Sequence, residues 1–161
     1  MAVDDELNEF EDNLRHVFDY HLVVSPNWEY WEEVDTPNRE FFQGLDAAII
    51  HVHQHLIDKY KGTAVVPIVQ NLCDLLRVTA RVSMNVPFPR YPELHAHAVS
   101  DNLMDVYTEF AYAPLRTEMI MVNHFAMYIQ RIWKRVNVDP SHPACRRRLE
   151  REFYDLEQSV C

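Results

Sequence analysis

The sequence predicts an all-α domain, a single-domain bundle of about six helices, on three observations. Only two glycines, Gly44 and Gly62, occur in 161 residues. That leaves little of the turn chemistry an all-β fold requires. Apolar residues make up 48% of the chain, and they recur at helical steps of three and four. Nine prolines act as punctuation around the periodic stretches, as expected of helices joined by short loops. The length suits one domain over 1–161 with a real core.

Residues 3–22 place Val3, Leu7, Phe10, Leu14, Val17 and Phe18 on one face. Asp4, Asp5 and Glu6 occupy the first turn, where the helix dipole favours acids. Ser25-Pro26 caps a short helix through Trp28, Tyr30 and Trp31, so the acidic amino-terminal helices cover 3–34. Thr36-Pro37 repeats that signal and opens a helix over 37–61. Its inward stripe holds Leu45, Ile49, Val52 and Leu56, and Gly62 is its C-cap. A helix with Pro67 in its first turn follows and runs to about Met84, with Val69, Leu72, Leu75 and Leu76 along it. Residues 85–92, NVPFPRYP, read as an extended, rigid connection. The next helix, 92–112, turns Val99, Leu103, Val106 and Phe110 inward, and Pro114 ends or kinks it.

Residues 115–136 then form the predicted centre. Leu115, Met119, Val122, Ile129, Trp133 and Val136 make one stripe, and Met121, Phe125, Tyr128 and Ile132 a second. A helix apolar on so much of its circumference is expected to be surrounded by protein. Glu118, Asn123, Arg131, Lys134 and Arg135 argue against a membrane span. The core helices thus cover 37–136. A C-terminal helix over 142–158 turns Cys145, Leu149, Phe153 and Leu156 inward, with i,i+4 ion pairs Arg146–Glu150, Arg148–Glu152 and Arg151–Asp155 on its outer face.

The net charge is −10, and residues 1–40 carry all of it. The stretch 131–151 is basic, at +5. Such asymmetry bears on partners and association more than on fold. The acidic start is unlike a targeting peptide, and three cysteines without metal or redox spacing suit a reduced compartment. The expected location is therefore intracellular, cytoplasmic or nuclear.

Trp28, Tyr30 and Trp31 among Glu32 and Glu33 are the first choice for partner contact, being large amphipathic anchors ringed by charge. Arg131, Lys134, Arg135, Arg146 and Arg147 are the second, as assembly or phosphate contacts. The overall negative charge makes nucleic acid the less favoured partner. His51 and His55 stand one turn apart, as do His97 and Asp101, which is bundle-type metal spacing. The specific Glu-x-x-His and His-Glu-x-x-His signals are absent, so no metal or other cofactor is expected. His124, inside the central helix, reads as a buried neutral imidazole. No nucleophile elbow, phosphate loop or dinucleotide fingerprint occurs, and no enzymatic activity is expected.

The segment CRRRLEREF, 145–153, resembles a pattern near the carboxyl end of some rod-shaped plant-virus coat proteins. The glycine- and alanine-rich flanks of those proteins are missing here. The resemblance would imply a self-assembling helical subunit. The expected function is protein–protein contact by a small acidic helical protein, such as a virus- or phage-encoded accessory factor. Its partner would be a protein with a basic surface. The alternative is a coat-like subunit that sets acidic 1–40 against basic 131–151 of a second copy. A His/Asp metal site in the bundle is the third reading.

Overall fold

The structure, a computed structural model, describes residues 2–24, 39–84 and 90–160. The expectation of an all-α chain holds. Six α-helices join through two π-helical segments into five unbroken helical runs, with no strand among the described residues. They are α1 (Val3–Phe18) continued by π1 (Asp19–Val24), α2 (Arg39–Lys59) and α3 (Val65–Met84). Then α4 (Pro92–Val106), π2 (Tyr107–Tyr112) and α5 (Ala113–Asn137) run on without a turn, and α6 (Pro143–Val160) closes the order. The caps at Ser25 and Thr36, the helix through Trp28 and the connection 85–89 lie outside the described residues.

Contacts divide the chain into two compact units, Met1–Met119 and Ile120–Cys161. In the first, α1 packs on α2 and α4, and α3 packs on the same two, giving a four-helix bundle. Gly62, at φ 80°, stops the α2 run and lets α3 return beside it. Leu14, Phe18, Ile49, Leu76, Leu103 and Tyr107 are among the side chains filling the core.

Both π segments follow from the spacing of the core residues. Phe10, Leu14, Phe18 and Leu22 are buried at intervals of four. So are Leu103, Tyr107, Ala111, Leu115 and Met119. At 3.6 residues per turn, four such steps would carry the apolar side chains about 160° around the helix. A wider turn absorbs the excess and holds them on one face. It therefore turns Tyr107 inward and leaves Phe110, expected inside, exposed. The same wide turn precedes Pro114, whose ring would otherwise press on the carbonyl four residues earlier. The helix accordingly runs through Pro114 where the sequence suggested an end or a kink.

The interior is also more polar than hydrophobic periodicity implies. Glu6 is buried, and its carboxylate accepts from Lys59 Nζ at 2.7 Å and Tyr60 Oη at 2.9 Å. Buried Asp46 pairs with Arg77 and Arg81. Exposed Asp4 is bound by Arg116, which donates at 2.6 and 3.2 Å and holds the carboxyl below its ordinary pKa. These bonds tie α1 to α2 and to the start of α5, and α2 to α3.

One major expectation fails. Leu115 and Met119 are fully buried, but from residue 120 onward no apolar side chain of α5 is buried and most lie open. Helical periodicity shows that a face is apolar without saying what covers it. The core sits between α1, α2, α3 and α4, and α5 contributes only its first two turns.

Candidate interaction surface

The second unit consists of residues 120–137 of α5, an elbow at 138–142, and α6. The elbow is held by side chains: the Ser141 amide and hydroxyl both donate to Asp139 Oδ1, at 2.9 and 2.6 Å. These bonds hold the Asp139 carboxyl below its usual pKa. His142 Nδ1 accepts from the Ala144 amide at 3.2 Å, satisfying a free N–H at the start of α6. The Asn137 carbonyl takes Cys145 Sγ at 3.2 Å and Arg148 Nη2 at 2.7 Å. Past this junction the two helices part. Cys145 is buried, Leu149 is half exposed, and Phe153, one turn further, is 65% exposed.

On α5 the exposed side chains form one surface. Projected at 3.6 residues per turn, Tyr128, Met121, Ile132, Phe125, Ile129 and Trp133 fall in an arc of about 140°. That exceeds the stripe an ordinary core-facing helix buries. Phe125 is 59%, Ile129 64% and Trp133 59% exposed. Arg131, His124, Gln130 and Lys134 occupy the opposite side. His124 is exposed, so its expected burial is also overturned.

The other predicted site residues separate into three groups. Trp28, Tyr30, Trp31, Glu32 and Glu33 lie outside the described residues. Arg131, Lys134, Arg135, Arg146 and Arg147 are all exposed in the second unit. Of the three predicted ion pairs on α6, only Arg148–Glu152 forms, at 3.5 Å. Glu150 and Asp155 instead line an open depression with Arg147, Arg151 and Tyr154. Acids and bases alternate there, which is a poor cradle for phosphate.

His51, His97 and Asp101 are exposed, and His55 stands 4.0 Å from Glu6. No group of three or more His, Cys, Asp or Glu side chains with metal-binding proximity occurs among the described residues. Within HVHQH the buried histidine is the middle one, His53, which the spacing argument passed over. Its Nδ1 donates to the Ile49 carbonyl at 2.7 Å, its ring stands edge-on to Phe10, and burial pushes its pKa down to about 4. No described helix is long and apolar enough to cross a membrane.

The exposed α5 residues were legible as apolar and misread as core. The signal available was the cationic end. Arg131, Lys134 and Arg135 follow one another through a stretch, 120–137, that holds no acid to neutralise them. No family model, curated protein or solved structure significantly matches this chain. The functional reading therefore rests on the surface itself.

Proposed function

We propose that this protein works by protein–protein contact, and that the apolar face of α5 between Met121 and Trp133 is its contact surface. The observation that supports this is the exposure of Phe125, Ile129 and Trp133 on one side of a helix whose earlier apolar side chains, Leu115 and Met119, are fully buried. Single exposed apolar side chains need no explanation, but contiguous patches above a few hundred Å2 mark interaction sites. Large aromatic anchors with Arg135 at the edge of the face also have the composition of interface hot spots.

This reading keeps the class of function expected from the sequence and moves its principal surface. The acidic aromatic stretch with Trp28, Tyr30, Trp31, Glu32 and Glu33 is a second proposed contact, carried by its composition alone. An enzymatic or metal-dependent role gains no support from the placement of His51, His55, His97 and Asp101.

Capture from extract by the immobilised full chain tests the proposal. Ile129→Glu with Trp133→Glu places two charges on the apolar face at positions that bear no load in the bundle. The wild type is expected to retain specific proteins, or further copies of itself, that the double variant loses while keeping its helical circular dichroism. Equal capture by both proteins would remove α5 from the proposal. Loss on Trp28→Ala with Trp31→Ala instead would transfer it to the amino-terminal stretch.

A further inference from the structure

We infer that the apolar face of α5 beyond Met119 binds the surface of an anionic lipid bilayer, the helix lying flat at the level of the headgroups. The inference goes beyond the contact reading above, which concerns proteins: while the face is sunk in lipid it is closed to a protein partner.

The order of side chains around the helix supplies the first argument. Tyr128 and Trp133 bound the exposed arc, and Ile132, Phe125 and Ile129 fill its middle. All five are between two fifths and two thirds exposed. A helix half-sunk in a bilayer surface calls for this order. Tyrosine and tryptophan rings, apolar with one polar tip, settle at the boundary between headgroups and hydrocarbon. Wholly apolar side chains go deeper.

Charge supplies the second. In a chain of net charge −10, the stretch 120–137 holds Arg131, Lys134 and Arg135 and no acid. The ion pairs among the described residues leave all three out. Arg131 and Lys134 project more than about 120° from the middle of the apolar arc, and Arg135 about 90° from it. A protein laid on that face would meet Arg135 alone. An anionic bilayer attracts all three, because its field reaches ~8–10 Å into salt solution, about the diameter of the helix. Long Lys and Arg side chains also bend from a helix flank toward the headgroups. Arg146 and Arg147 extend this basic surface, since the bonds of Cys145 and Arg148 to the Asn137 carbonyl hold the start of α6 against the end of α5. Aromatic and aliphatic side chains on one side, with lysine and arginine on the other, are the pattern of helices that lie in a membrane interface without crossing it.

Co-sedimentation of the full chain with lipid vesicles tests this. Vesicles of equal parts phosphatidylcholine and phosphatidylserine should carry the protein down at low salt, and vesicles of phosphatidylcholine alone should retain much less. High salt should weaken the binding, because part of the attraction is between exposed charges. Each basic residue beside an anionic surface is worth roughly fivefold in affinity, so replacing Arg131, Lys134 and Arg135 together with Gln should weaken it on the order of a hundredfold. The Ile129→Glu, Trp133→Glu variant should stay in solution with its helical circular dichroism intact. In a Trp28→Phe, Trp31→Phe variant the remaining tryptophan is Trp133, and its emission should shift to the blue on mixing with the anionic vesicles. A wild type that does not sediment with these vesicles at low salt overturns the inference. So does binding that leaves the Trp133 emission unmoved, or that the glutamine variant retains in full. Protein capture that depends on Ile129 and Trp133 without vesicle binding leaves the contact reading standing and removes this one. Vesicle binding with the predicted changes and no captured protein does the reverse.

Discussion

His53 shows how far a single side chain departs from what its neighbours in sequence suggest. HVHQH offers three histidines at alternate positions, and helical geometry puts His51 and His55 on the outside of α2. The middle one is sealed between Phe10 and the backbone of its own helix, where a charged ring would be poorly solvated. The consequence for stability has a definite sign. The unfolded imidazole takes up its proton near pH 6.5, whereas the folded one resists until about 4. The unfolded state thus binds more protons throughout that interval, and stability falls as pH falls from 6.5 to 4. Integrated over the interval, the loss is roughly 3 kcal/mol. Part-buried His21 acts in the same direction. Asp4 and Asp139, held below the carboxylate range by Arg116 and Ser141, stay out of the window. Urea unfolding at pH 7, 6 and 5 should show this slope in the wild type and a much flatter one in His53→Leu. Parallel pH profiles for the two proteins would contradict the assignment.

At the scale of elements, the helices were legible and the places where they widen were not. Apolar periodicity located α1 through α6 to within a few residues, and Gly62 marked its stop because only that conformation ends α2. The π segments were missed because steps of three and four were counted as equivalent. Runs made only of fours, Phe10 to Leu22 and Leu103 to Met119, carry the signal. The same argument predicts the effect of shortening π2. Deleting Thr108 removes the extra residue, so that Leu115 and Met119 rotate by about 100° away from the core. Two fully buried side chains would be displaced, and the expected cost is at least about 3 kcal/mol in denaturant unfolding. A deletion costing under about 1 kcal/mol would show that the four-residue spacing does not set the register. Cross-links such as Glu6 to Lys59 and Asp46 to Arg77 escape periodicity altogether, because they depend on which helices become neighbours.

For the molecule as a whole, apolar and charged stretches were legible in the sequence, but which of them the fold leaves exposed was not. The apolar width of 115–136, read as a sign of complete enclosure, describes equally a helix with an exposed apolar face. Only the burial profile separates the two cases, by dividing at Met119. The candidate residues at 131–147 were legible because charge is visible in one dimension. The exposure of Phe125, Ile129 and Trp133 was not, because it depends on which helices fail to cover them. The central claim is that α5 is locked in the bundle up to Met119 and open beyond it. Amide hydrogen exchange measured along α4, π2 and α5 tests this most directly. Amides of 103–119 should exchange slowly and those of 120–136 much faster. Slow exchange across the whole of 103–136 in protein that light scattering shows to be monomeric would contradict the account.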